Sequence, residues 1–240
     1  MIFMICLLSF ALFADDHVLE AAKFSHAVYQ PHPDSEKEVI LDHENLLLGN
    51  RLLVAKDEHK PILYFAIRGT GPWQNWFANA HIANDFMEQI MPDWLFESYQ
   101  KVKQGPEFWF RLAFRDLKEA TLQILARYPN HRLVITGHSY GGVMANLLAQ
   151  DIAQLEPKRI LECHTFNAPG TQEIREKTLK LPTTSAKQLQ QFYNHLRISD
   201  PIAWLNTHEG HVVSYPPAAR FESLTDEHKM ELFLEDLRGS

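Results

Sequence analysis

Two cysteines in 240 residues leave this chain without a disulfide framework. Cys6 sits in the apolar opening stretch. Cys163 sits in a strand-like run with no thiolate-stabilising neighbour beyond His164, which predicts a small core residue and not a nucleophile. Positive charge is scarce too. Lys and Arg number 23 against 30 Asp and Glu, a net charge of −7, and no local basic cluster offsets it. That excludes a nucleic-acid footprint and a bulk attraction to anionic membranes. Repeats and low-complexity tracts are missing.

The uncharged apolar run 1–14 is too short to cross a bilayer as a free helix. It has the character of a secretory signal core with Ala14 as a cleavage point, which predicts a secreted or periplasmic protein. The alternative is a first helix of a cytoplasmic one. Composition elsewhere is that of a globular protein, 45% hydrophobic and 22% charged over the chain, and one α/β domain is expected over 15–240.

The chemistry is concentrated in Gly137-His138-Ser139-Tyr140-Gly141, which reads G-x-S-x-G. Before it lies the β-branched run Arg132–Thr136, a buried strand by pattern; after it lies the small-residue helix pattern Gly142–Ala149. Strand, tight turn and helix are the setting of a nucleophile elbow, with small residues two away on each side of a strained serine. The helix start aims backbone N–H groups at an oxyanion formed beside Ser139.

The rest of the chain alternates. A helix is expected over Asp16–Tyr29, strands over Glu38–Leu41, Arg51–Ala55 and Pro61–Ile67, then an aromatic-rich irregular stretch over 72–106. A long helix over Glu107–Tyr128 feeds the Ser139 strand. Strands over Ile160–Phe166, Tyr193–Ile198 and His211–Tyr215 follow, with a polar helical stretch over 171–190 broken at Pro182 and a last helix from about Thr225. This alternation implies a mostly parallel sheet with helices on both faces. In such sheets functional residues gather at strand carboxyl ends, and Thr70, Ser139, Asn167 and Asp200 all stand there.

A serine hydroxyl needs a base, and the base needs an acid to hold its tautomer. On such sheets the chain order is serine, acid, histidine. Asp200 is the one aspartate between Gly170 and Pro216. Three histidines follow it: His208 in a polar loop, His211 opening a strand, and His228 near the start of the last helix, which is favoured with His211 kept open. Two donors are needed for the oxyanion: the Tyr140 N–H and, from the loop after the Pro61–Ile67 strand, Thr70. His138 beside the nucleophile, with Trp94 and Phe108 in the aromatic stretch, completes the set as substrate-contacting positions. The aromatics are read as an acyl pocket or lid, against the alternative that they fill the core. His-Glu-Gly-His lacks the spacing of a helical zinc pair, so no metal is expected.

These segments together resemble the class 3 lipases, an α/β-hydrolase family of fungal triacylglycerol lipases and bacterial relatives. The resemblance runs through Arg68-Gly69-Thr70 with Asn75-Trp76, the Thr136–Gly142 elbow, Thr165-Phe166-Asn167-Ala168-Pro169, Asp200-Pro201-Ile202 and the His228 segment. Tyr140 replaces a usual leucine there. The resemblance implies a cofactor-free serine hydrolase of carboxylic esters, with lipid acyl esters as substrates, cleaved as by a triacylglycerol lipase or an A-type phospholipase. The rival readings are a catalytically idle lipid- or protein-binding effector on the same scaffold, and a thioesterase or peptidase with the same three side chains.

Overall fold

The computed structural model describes residues 15–31, 37–68, 104–218 and 227–239. Seven strands lie in one sheet in simple chain order: β1 (Glu38–Asn45), β2 (Asn50–Lys56), β3 (Ile62–Ile67), β4 (Arg132–His138), β5 (Ile160–Phe166), β6 (Phe192–Arg197) and β7 (His211–Tyr215). The first three pair antiparallel and β3 through β7 pair parallel. The described helices are α1 (Asp15–Ala27), α2 (Gln104–Arg127), α3 (Tyr140–Leu155), the short α4 (Ala186–Leu189) and α5 (Glu231–Gly239), with a π-helical turn over Ile174–Leu179. The expected mostly parallel sheet covered on both sides is what forms.

The strand order decides which helix covers which face. Parallel strands that step one way through right-handed crossovers put every intervening helix on one side. There Phe110, Ala113 and Leu117 of α2 and Val143, Met144 and Leu147 of α3 bury Leu63, Phe65 and Ile135. The opposite face would stay bare, and the two outer helices cover it. Val18, Ala21 and Ala22 of α1 and Phe233 and Leu234 of α5 pack with Ile62, Tyr64, Ala66 and Val134. Alternate residues of β3 thus serve opposite layers, as a period of two requires.

Three expectations are corrected in detail. β1 runs on past Leu41 to Asn45, because its outward carboxylates have partners: Asp42 accepts two bonds from Arg51, at 2.8 and 2.7 Å, and Glu44 meets Arg68 at 2.7 Å. The 171–190 stretch is a π-helical turn closed by left-handed Lys180, then a single capped helical turn. The last helix starts at Glu231, leaving Glu227–Met230 as a turn. Cys163 is buried core, and burial pushes its thiol pKa up.

α3 carries a polar pair on its buried surface. Gln150 donates to Asn146 at 2.7 Å and to Glu209 at 3.0 Å. Glu209 also takes Arg175 Nε at 3.1 Å, and its backbone carbonyl takes Asn194 Nδ2 at 2.9 Å. Buried charge is tolerated only when paired and bonded in this way. The network pins the segment that follows Asp200 to the helix that follows Ser139.

Candidate active site

Parallel register sets β4, β5 and β6 to end together. The Ser139 N–H donates to Phe166 O at 2.9 Å, and the Asn167 N–H donates to His195 O at 2.8 Å. The residues just past three neighbouring strands therefore stand side by side.

Ser139 has φ 57 and ψ −130, a backbone conformation that a side chain disfavours. The turn closes because nothing obstructs it. A Cβ on Gly137 would lie 2.3 Å from Gly141 O, and one on Gly142 would lie 2.6 Å from the Ala168 Cβ. Ser139 occupies the cap position of α3, yet its side chain does not cap the helix. Its Oγ instead stands 2.7 Å from His228 Nε2. On the far side of the ring, His228 Nδ1 lies 2.6 Å from Asp200 Oδ2. Facing a carboxylate, Nδ1 carries the proton, which leaves the Nε2 lone pair for the serine hydroxyl. Asp200 is fully buried, and its other oxygen accepts the Ile202 N–H at 3.0 Å.

The turn that bears His228 is held from three directions. His138 Nε2 donates to His228 O at 2.5 Å, while its Nδ1 lies 3.3 Å from the Tyr29 hydroxyl. Burial, with the adjacent His228, pulls the His138 pKa down to about 3, so this ring stays neutral. Asn167 Nδ2 donates to Glu227 O at 2.7 Å. Glu227 itself is fully buried, accepting the Ala218 N–H at 2.7 Å with one oxygen and standing 3.9 Å from Arg197 Nη1 with the other. Arg197 in turn donates to Pro216 O, Leu232 O and Asp236.

The other histidines after Asp200 are engaged elsewhere. His211 stacks on Tyr193 with ring centres 5.4 Å apart, and His208 Nε2 donates to Ala203 O at 2.8 Å. Tyr140 opens α3, where a first-turn N–H has no intrahelical acceptor. Its ring turns inward, edge-on to Phe110 at 6.0 Å, and burial pushes its phenol pKa up. Thr70 and Trp94 lie outside the described residues, and of Phe108 only the helical backbone is described. The sequence alone does not single out Tyr29, Arg197 or Glu227. Their only signal is polarity in stretches that pack inside. Among the described residues no cluster of His, Cys, Asp or Glu could hold a metal ion, and no helix is long and apolar enough to cross a membrane.

A family model described as Lipase (class 3) matches residues 64–208, more than half of the chain. The chain belongs to the class 3 lipase family. The matched stretch includes Ser139 and Asp200, and His228 lies beyond it. A lipase of Rhizomucor miehei is 27% identical over 119 residues, which cover 50% of this chain and 31% of that protein. The match thus spans less than a third of that relative's length. Two solved structures share the fold. One is described as a triacylglycerol lipase whose catalytic centre is a serine protease triad, with TM-score 0.52, 18% identity and coverage of 84% of this chain and 79% of that one. The other is a triacylglycerol lipase from Penicillium expansum, with TM-score 0.51, 16% identity and coverage of 85% and 80%. The class 3 lipase frame is an α/β-hydrolase, as the sequence leads one to expect.

Proposed function

We propose that the protein hydrolyses carboxylic esters, with lipid acyl esters as substrates, through an acyl-enzyme on Ser139. The observation that carries this reading is the unbroken line from Ser139 Oγ through both nitrogens of His228 to Asp200, at 2.7 and 2.6 Å. Ser139 attacks the ester carbonyl as His228 takes its proton. His228 then returns the proton to the leaving alcohol, and a water repeats the cycle to release the acid. Asp200 holds the Nδ1–H tautomer and offsets the imidazolium charge. The N–H groups of Tyr140 and Thr70 receive the oxyanion, each donor worth about 3 kcal/mol of barrier.

Trp94 and Phe108 are assigned to the acyl side of the pocket, and the run 1–14 to export from the cytoplasm. A Ser139→Ala protein, run beside the unaltered one on p-nitrophenyl esters of graded chain length, a triglyceride and a phospholipid, tests the reading. Turnover should fall by at least about 10⁴-fold on every ester cleaved. Undiminished turnover in a folded Ser139→Ala protein refutes it. The lipid panel separates triacylglycerol from phospholipid hydrolysis.

A further inference from the structure

We infer that Asn167 is a positioning residue of the reaction: its carboxamide ties the turn that carries the base to the strand end that carries the acid. The inference rests on the reading of Ser139, His228 and Asp200 given above and adds a fourth side chain to it.

Asn167 follows β5 directly and is fully buried. Its φ of 43 is a left-handed conformation, which glycine adopts freely and a side chain resists. Asparagine is among the few side chains that enter this region readily, and here its carboxamide makes two bonds. Nδ2 donates to the backbone oxygen of Glu227 at 2.7 Å, and Oδ1 accepts the Arg197 N–H at 2.8 Å. Glu227 immediately precedes His228. Arg197 ends β6, three residues before Asp200. The Asn167 main chain is fixed as well, by its N–H on His195 O at 2.8 Å.

A carboxamide is suited to this bridge because it offers a donor and an acceptor in fixed, divergent directions. An aspartate would face the Glu227 carbonyl with no proton to give, and a glycine would not reach either partner. The consequence is geometric. His228 must meet Ser139 on one side and Asp200 on the other at once, so its turn and the end of β6 must keep their separation. His228 stands in the described turn Glu227–Met230 that leads into α5. Asn167 sets that separation directly, from the strand that lies between β4 and β6. Loss of the bridge frees the ring to drift, and displacement by about 1 Å costs on the order of 10²-fold in rate.

The test uses Asn167→Gly and Asn167→Asp in the full chain. Glycine suits the φ of 43, which offsets part of the cost of the two lost bonds, so the variant should fold with a lowered Tm. The expected result is a fall of about 10²-fold in kcat on a p-nitrophenyl ester, with KM little changed. Labelling of Ser139 by a fluorophosphonate should slow by the same factor, and the acid limb of the kcat/KM profile should move. Asn167→Asp keeps the acceptor for Arg197 and loses the donor, so it should lose rate as well; it carries the comparison if the glycine variant does not fold. Unchanged kcat and labelling rate in a folded variant overturn the role, as does a lowered Tm with unchanged kcat. Ser139→Ala is measured alongside. If it retains turnover, the reading of the whole site fails; if it is dead while Asn167→Gly is unimpaired, only the positioning role falls.

Discussion

The Nε2 of His138 lies 2.5 Å from the backbone oxygen of His228, so the residue before Ser139 holds the histidine that faces its hydroxyl. The Ser139 and His228 segments are thereby linked twice, once through side chains and once through this bond. His138→Phe keeps a planar aromatic ring and removes the donor. We expect a fall of roughly 10–10²-fold in kcat with a small change in KM, because the turn that carries His228 loses one of its ties and the ring can shift. A rise in KM alone, in steady-state kinetics on a soluble ester, would favour substrate contact as the role of His138.

Ser139 pays for its position in backbone strain. Left-handed φ with extended ψ costs a side-chain-bearing residue about 1–3 kcal/mol, and glycine escapes most of it. Ser139→Gly should therefore be inactive yet more stable, by about 1 kcal/mol after the larger entropy loss of glycine is subtracted. Urea denaturation of the two proteins checks it, and a less stable glycine variant contradicts it.

Acid should loosen the fold before it protonates the carboxylates. Burial lowers the pKa of His138 to about 3 and that of His195 well below 6.5. Both rings are neutral in folded and unfolded chains above pH 6.5, so their full stability is present there. Below 6.5 only the unfolded chain takes up these protons, and each ring removes about 1.4 kcal/mol per pH unit until its folded pKa is reached. Denaturation midpoints measured from pH 7.5 to 5 should fall steadily, and His195→Phe should flatten the slope.

Arg197→Leu should be among the most damaging single changes apart from those at Ser139, His228 and Asp200. It strips the donors from Pro216 O and Leu232 O and leaves Glu227 buried without its cation. Breaking a buried pair from one side costs about 3–5 kcal/mol. The matching double variant Arg197→Leu with Glu227→Gln should recover part of the loss in thermal unfolding, and no recovery would place the cost in the carbonyl bonds instead.

The sequence is readable where one segment decides its own structure. The apolar runs of β3, β4 and β5 announce buried parallel strands, and the glycines around Ser139 announce the turn that only they permit. The serine, the aspartate and the favoured histidine are the three that the fold brings together, while His208 and His211 turn elsewhere. What is not readable comes from distant partners. Glu227–Met230 has a helical pattern, but Glu227 is drawn to Ala218 and His228 to Asp200, and these bonds outweigh local propensity. β1 reads as polar past Leu41 because its carboxylates answer arginines on β2 and beyond β3. Asn167 reads only as a polar residue at a strand end; its partners lie 30 and 60 positions along the chain.

The one-way order of the strands bears on how the molecule comes to be competent. β3 to β6 can zip together through pairings between sequence neighbours, with α2 and α3 laid down as they go. The α1 and α5 layer joins remote parts of the chain and so docks late. A protein halted before that step would already be compact and would already carry a bent Ser139, yet its proton acceptor would be dangling. Renaturation should therefore restore ellipticity first and turnover afterwards.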